Sequence, residues 1–438
     1  MSSTPAGSGS STAAPTAHRS RSDVVVVGGG PAGLVLALLL ARDGVDVVVL
    51  EKHADFFRDF RGDTVHPSTL RLLGELGLAE AFLELPHQEV ERLGVTTDEG
   101  EFTLADFRRL PGPYRFLTFV PQWDFLSFLA GQAARSPHFR LLMGAEAVAL
   151  LRQDGRVTGV RYTTADGATG EVSAALTVAA DGRDSRLRAE AGLAVREFGA
   201  PMDVLWFRLP KAAGSAAPPF GGVGRLTRGR LLVLIDRGEY WQSAYLVRKG
   251  TVDEVRAAGL AAFRADLLRL LPGMEASVAA LQSWDDVRLL SVQLDRLSRW
   301  HLPGLLLIGD AAHAMSPIGG VGVNLAVQDA AAAARLLAPW VRRGSVPSRV
   351  LARVHRRRVL PTVVTQRVQR LVQQRFVDRL LAGDRPAATP GVLRLLQRWP
   401  VLQGIPARVI GLGVLPEHAR SAPLTAPREA AQAGRGAT

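Results

Sequence analysis

The run Asp23-Val24-Val25-Val26-Val27-Gly28-Gly29-Gly30-Pro31-Ala32-Gly33 constrains this chain more than any other segment. Four consecutive valines leave no polar face, so they suit a strand buried on both sides, the environment of a parallel sheet. Gly28-x-Gly30-x-x-Gly33 follows at once, and Pro31 to Arg42 carries helix-compatible apolar residues. Asp46 to Leu50 is a second valine-rich strand, closed by Glu51. Strand, glycine turn, helix and strand make a βαβ unit. Gly28 permits the tight turn, Gly30 lets the backbone approach a diphosphate, and Gly33 lets helix and strand pack closely. The helix start, Pro31-Ala32-Gly33, adds amide N–H groups and the positive end of its dipole. Glu51 stands where a strand-end carboxylate accepts hydrogen bonds from a ribose diol, and Lys52 follows it. A carboxylate there favours a diol over a 2′-phosphate, which suits FAD or NAD better than NADP at this turn.

Two further segments end a buried strand in a polar turn. Leu176 to Ala180 runs into Asp181-Gly182-Arg183-Asp184-Ser185-Arg186-Leu187-Arg188. Taken alone this also reads as an ordinary Asp-Gly turn. Leu305 to Ile308 runs into Gly309-Asp310, and Pro317-Ile318-Gly319-Gly320-Val321-Gly322-Val323-Asn324 leads into an alanine-rich helix expected over Asn324 to Leu337. Asp310 at a strand end can bind a sugar-like hydroxyl such as one on a ribityl chain. The amide end of the following helix can stabilise negative charge on a reduced flavin.

Between these segments the chain reads as helix over Pro67 to Leu85 and Trp123 to Arg135, and as strand over Phe139 to Leu151 and Arg156 to Thr164. From Phe198 to Leu297 the pattern changes to strands at Val204–Leu209, Arg230–Ile235, Tyr240–Val247 and Val287–Leu294, with a helix over Val252 to Leu271. This block reads as a mostly antiparallel sheet. Beyond Leu337 the chain is helical, with breaks expected at Pro361, Pro386, Pro390 and Pro400. The pattern divides the chain into a disordered leader over 1–22, regions over 23–197, 198–297 and 298–340, a helical region over 341–420 and a disordered tail over 421–438.

The chain has no cysteine, which removes disulfides, cysteine nucleophiles and iron–sulfur clusters, and no metal site is expected. Redox chemistry then has to come from an organic cofactor. Absence of cysteine fits a cytoplasmic protein. No apolar run reaches the roughly 20 residues that span a bilayer. The net charge is +12, and twelve arginines stand against Asp378 and Asp384 between Arg349 and Arg398. The ordinary reading is a solvated helix face. A surface that attracts NADPH or an acidic partner is the second reading, and membrane docking the third. No nucleic-acid module accompanies the charge, so nucleic acid is not expected as a partner.

Taken together, the glycine motif with Glu51, Asp181-Gly182-x-x-Ser185-x-x-Arg188, and Gly309-Asp310 with Pro317-x-x-Gly320-x-Gly322-x-Asn324 resemble the class A flavoprotein monooxygenases, the aromatic hydroxylases of the p-hydroxybenzoate hydroxylase fold. The resemblance covers about Asp23 to Leu337. It implies that 23–197 and 298–340 are two parts of one FAD-binding domain and 198–297 an inserted substrate domain. The expected fold class is therefore α/β: a Rossmann-like FAD-binding domain with a parallel sheet, an inserted antiparallel substrate-domain sheet and C-terminal helices. The resemblance also implies that Gly28, Gly30 and Gly33 hold the FAD diphosphate and Glu51 the adenosine ribose. It places Arg61 at a phosphate or the ribityl chain, Gln122 beside the ribityl chain, and Asp181 in a motif linked to FAD and NAD(P)H. Asp310 then meets the ribityl or diphosphate region, and Gly320, Gly322 and Asn324 line the isoalloxazine ring, with Pro317 and Val323 in the same turn. A surface arginine and a helix-capping glutamine compete at positions 61 and 122. The implied activity uses NAD(P)H and O2 to hydroxylate an aromatic, polyketide-like or other electron-rich molecule through a flavin C4a-hydroperoxide, in a monomer or homodimer.

His66, His313, Tyr240 and Tyr245 are candidates for moving a proton, and the sequence singles out none as a catalytic base. An FAD-dependent reductase of isoprenoid double bonds and a non-catalytic flavin-binding protein are the alternatives. The W-x-W-x-I-P motif of flavin-dependent halogenases is absent. Trp206, Phe207, Tyr240, Trp241 and Tyr245 make the second sheet aromatic, which suits either a substrate pocket or sheet core.

Overall fold

The structure is a computed structural model that describes residues 18–57, 64–211, 223–227, 229–381 and 391–419. Its first layer is an eight-stranded sheet with a parallel centre. The strands run His301–Leu302, Leu305–Leu307, Thr169–Ala179, His18–Val27, Val47–Glu51 and Phe139–Met143, with Ala145–Gln153 and Arg156–Thr164 attached as an antiparallel extension. The valines face a core on both sides. Val24 and Val26 pack under the helix Pro31–Arg42, while Val25 and Val27 pack towards Trp300 and Leu305. The helix itself is apolar around its whole girth, as a buried helix must be. It lies between the sheet and the long helix Val321–Val341, whose run Ala330 to Ala334 is buried and lets the two backbones approach.

The second layer is a seven-stranded sheet in the order Arg288–Leu290, Met202–Pro210, Tyr240–Arg248, Arg230–Asp236, Val223–Thr227, Arg92–Thr97, Gly100–Asp106. All pairings are antiparallel except that of Val223–Thr227 with Arg92–Thr97. One face carries Phe207, Trp241 and Tyr245 into a core closed by Phe263 of the helix Leu260–Leu270. The three therefore act as sheet core. Trp206 points to the opposite face.

Several sequence expectations need correction. The first strand starts at His18, so residues 18–22 belong to the sheet and not to a leader; they pair with Gly170 to Ala174. Residues 1–17 and 421–438 lie outside the described residues. The second sheet is not confined to 198–297, because Arg92–Thr97 and Gly100–Asp106 complete it. Those strands are short and polar and become strands by pairing at an edge. Three expected elements are each interrupted at a glycine. Pro67 to Leu85 divides into Pro67–Glu75 and Ala79–Leu83, Phe139 to Leu151 divides at Gly144, and Val252 to Leu271 divides at Gly259, whose φ is +90°. The long helix begins at Val321, one turn before Asn324. Pro361 does not break its helix, which runs unbroken over Ser348–Val372. Burial of Val354, Arg358, Thr362, Gln366 and Gln369 along one side outweighs the hydrogen bond that proline removes. Pro386 and Pro390 lie outside the described residues. No described helix is long and apolar enough to cross a membrane.

Candidate cofactor site

The parallel strands end in register. Val27 pairs with both Leu50 and Ala179, and Ala179 pairs with Leu307. Gly28, Glu51, Asp181 and Gly309 therefore emerge along one edge, at the carboxyl ends of the strands, where open α/β sheets bind ligands. Close packing then joins the three motifs. Gly28 has φ +106°, and a Cβ there would lie 2.3 Å from the Ala180 carbonyl oxygen. A Cβ on Gly33 would lie 1.9 Å from the Gly28 oxygen, and one on Gly309 would lie 3.1 Å from Ala32 Cβ. Arg183 Nη2 is 3.5 Å from Asp310 Oδ2, which ties the second motif to the third.

Gly30 differs from its neighbours. It is the N-cap of the helix Pro31–Arg42, no side chain caps it, and a Cβ on it would meet nothing within 4 Å. The amides of Ala32 and Gly33 thus open on a space shaped for an anion. Glu51 is buried beside this turn, accepting from Gly29 N–H at 2.8 Å and His53 N–H at 3.0 Å. Lys52 is exposed beyond it. At the other end of the site, Gly320 (φ +62°) is the N-cap of Val321–Val341, again without a side-chain cap. Pro317, Gly322 and Val323 are half-buried around that turn. Two uncapped helix ends beside the strand-end turns fit a long ligand with phosphates at one end and a charge-accumulating ring at the other.

Not every expected residue reaches the groove. Asn324 is buried, and its side-chain oxygen accepts from Ser68 Oγ at 2.7 Å and Thr69 Oγ1 at 2.9 Å. It fastens the long helix to Pro67–Glu75. The Asp181 carboxylate turns back onto its own chain, accepting from Ser185 Oγ at 2.6 Å and Leu187 N at 3.3 Å, and burial raises its pKa. Within that motif Arg183 is the residue that reaches across. Gln122 is half-buried in the first turn of Gln122–Ala133. Arg61 lies outside the described residues.

Of the four proton candidates, His66, His313 and Tyr245 are buried and Tyr240 is half-buried. His66 is fully buried, with Nδ1 2.8 Å from the Ile410 oxygen and Nε2 2.9 Å from the Gly320 oxygen. It clamps the glycine turn to the helix Gly404–Gly411. Burial lowers its pKa against the two carbonyls. Tyr245 packs on Phe263, and burial, then Asp266, raises its phenol. Tyr240 lies under the Arg208 guanidinium.

His313 belongs to a buried charge network that sequence reading missed. Its Nε2 is 2.6 Å from Asp329 Oδ2; the same oxygen accepts from Gly309 N–H at 3.1 Å, and Arg358 Nε donates to Asp329 Oδ1 at 2.9 Å. Burial pushes the Asp329 carboxyl up, but the facing His313 and Arg358 outweigh it and hold it below its usual range. Arg358 is 1% exposed, so the arginine-rich helix is not a single solvated face. A polar Asp329 within the apolar Ala326 to Ala334 run was the available signal.

Comparison with known proteins agrees with this geometry. Residues 21–370 match the family described as FAD binding domain. The chain belongs to this FAD-binding family. It is 34% identical over 403 residues to 6-methylpretetramide 4-monooxygenase of Streptomyces rimosus, spanning 90% of this chain and 93% of that one. It is 27% identical over 366 residues to aklavinone 12-hydroxylase DnrF of Streptomyces peucetius, spanning 75% and 70%. OxyS anhydrotetracycline hydroxylase from Streptomyces rimosus superposes with a TM-score of 0.69 at 25% identity, covering 90% of this chain and 76% of that one. This family member shares the fold of these class A flavoprotein monooxygenases, and FAD is its cofactor. It is an FAD-dependent oxidoreductase of the monooxygenase type.

Proposed function

We propose that the chain hydroxylates an oxygen-bearing aromatic, polyketide-like small molecule, with NAD(P)H as reductant and O2 as co-substrate. The carrying observation is the convergence of three strand-end motifs along one edge of the first sheet. In this reading Gly28, Gly30, Pro31, Ala32 and Gly33 hold the FAD diphosphate, and Glu51, with Lys52 at the rim, the adenosine ribose. Gln122 and Asp310 serve the ribityl chain, and the turn Pro317, Gly320, Gly322 and Val323 serves the ring. Bound FAD supplies the redox chemistry, taking electrons from the reductant and activating O2. The chain supplies orientation, a dry cavity and the dipole of Val321–Val341 beside the ring's negative charge.

The inner face of the second sheet supports the substrate class. Trp206 and Val233 lie there, and Ile318 of the glycine turn packs against the same side. Trp206 pairs with Ala244 and Arg208 with Gln242, so Trp206 and Gln242 share that face. Trp206 Nε1 and Gln242 Nε2 are buried donors without a hydrogen-bond partner. Leaving such a donor unpaired costs about 1–3 kcal/mol. In this reading an aromatic ligand bearing carbonyl or phenol oxygens packs on that apolar face, and the two donors turn to meet its oxygens. The test is incubation of the FAD-loaded protein with NAD(P)H, O2 and tetracyclic polyketide phenols, followed by mass spectrometry. A product carrying one added oxygen from 18O2 is expected. Reductant-dependent loss of a substrate double bond without oxygen uptake would instead identify a reductase.

A further inference from the structure

A second basic feature lies outside the groove. Around the Phe198 ring, the guanidinium carbons of Arg196, Arg296 and Arg370 lie 5.3, 5.1 and 5.2 Å from the centroid. Arg367 lines the same hollow, which has a volume of about 100 Å³. Arg196 and Arg296 stand directly opposite each other in the antiparallel pair Val195–Glu197 with Asp295–Leu297. Like charges at that position oppose strand pairing. Arg367 and Arg370 are three residues apart on one helix, where like charges again repel.

No carboxylate among the described residues pairs with any of the four. Arg296 Nη1 donates to Gln366 Oε1 at 2.7 Å, and Arg370 Nε is buried without a partner. Burial, then Arg196 and Arg367, pushes the Arg296 guanidinium below its usual range. Glu197, next along the strand, alternates to the other side. Two like-charged pairs brought together from separate elements, with no acid to neutralise them, form a receptor for an anion. Guanidinium forks match phosphate oxygens in geometry and number.

Gln366, on the wall of the hollow, ties it to the loop that follows Gly309-Asp310. Gln366 Nε2 donates to the Asp295 oxygen at 2.7 Å and to the Ala314 oxygen at 3.2 Å. Ala314 lies on the loop between Gly309-Asp310 and Gly320. We propose that this arginine hollow binds a phosphate monoester, the 2′-phosphate of the reduced dinucleotide, and so makes NADPH rather than NADH the reductant. The assignment rests on the monooxygenase reading for the identity of the nucleotide. A monoester carries about −1.5 to −2 charges near neutral pH, more than a single phosphate of a diphosphate bridge, and so suits four arginines.

The test is calorimetric titration of the FAD-loaded protein with adenosine 2′,5′-bisphosphate, adenosine 5′-phosphate and inorganic phosphate, in wild type and in Arg367→Gln/Arg370→Gln. The bisphosphate is expected to bind wild type at least tenfold tighter than the monophosphate, and the double variant to lose that preference. In steady state, KM for NADPH should rise at least tenfold in the variant, with KM for NADH and kcat unchanged. Arg367 is exposed, so Arg367→Glu alone gives the same readout if the double variant fails to fold. Equal affinity of wild type for the two nucleotides, or a preference that survives the substitutions, overturns the proposal. So does inorganic phosphate binding as tightly as the bisphosphate, which would mark a site for the free ion. A protein that binds the bisphosphate through these arginines but consumes no NADPH would leave the site standing and sink the monooxygenase reading.

Discussion

Asp329→Ala probes how the Gly309-Asp310 turn is held. Asp329 is fully buried and serves three groups: His313, Arg358 and the Gly309 N–H. Deleting one member of a buried ion pair costs about 3–5 kcal/mol, because the surviving charge stays desolvated. The orphaned Gly309 N–H adds about 1–3 kcal/mol. Glu417, 3.6 Å from Arg358 Nη1, offsets part of the loss, so about 3–5 kcal/mol is the expected total. At an unfolding entropy of about 2.1 cal/mol/K per residue, a chain of this length loses roughly 1 °C per kcal/mol. The melting temperature should therefore fall by about 3–5 °C. FAD should bind at least tenfold more weakly, about 1.4 kcal/mol, because the released turn carries Asp310. Calorimetric melts and FAD titration by fluorescence quenching measure both. Asp329→Asn keeps an acceptor for Gly309 and should fall between wild type and Asp329→Ala. The sign with pH is fixed: a carboxyl held below its usual range contributes fully above about pH 4. That contribution fades as pH falls through the lower folded value, so wild type should lose more stability on acidification than Asp329→Asn. A melting point within 1 °C of wild type together with unchanged FAD affinity would refute the idea that this network holds the turn.

Gly30→Ala and Gly33→Ala should separate cofactor space from packing space. Gly30 has φ −79° and no neighbour within 4 Å of a Cβ, so its variant should melt within about 0.5 kcal/mol of wild type without FAD, yet bind FAD more than tenfold weaker. Gly33→Ala drives a Cβ to 1.9 Å from the Gly28 oxygen and should destabilise the apoprotein as well, seen in its melt. Glu51→Ala orphans the Gly29 and His53 amides and should cost about 1–3 kcal/mol in denaturant titration while weakening FAD binding; unchanged affinity would remove Glu51 from the site. His301 is buried and its pKa is lowered to about 4 by burial, Arg299 and His355. Its unfolded value is about 6.5, so the unfolded chain takes up the proton first as pH drops. Its stabilisation is complete above about pH 6.5 and is lost towards pH 4; His301→Leu should flatten the melting temperature across that window.

Much of the fold and the groove was legible because the signals are local. Four valines before Gly28 specify a two-sided buried strand, and the strand-end acids and glycines stand at positions where a turn has few alternatives. What stayed hidden depends on partners distant in sequence. Arg92–Thr97 and Gly100–Asp106 carry little strand pattern; they acquire their state by pairing with each other and, through Arg92–Thr97, with Val223–Thr227. Pro361 reads as a break, but the helix around it is held by burial against the loop after Gly309. Asn324 reads as a ring contact, whereas Ser68 and Thr69 take its side-chain oxygen.

By itself, then, the order of residues decided which strands end in ligand-binding turns, since backbone sterics at glycine and the polarity of a strand end act within a few residues. Tertiary packing decided which side chains those turns actually offer. Burial and charge balance depend on what a distant segment brings, and only in the folded chain does Arg358 meet Asp329 while Arg367 and Arg370 meet Arg196 and Arg296 with no acid between them.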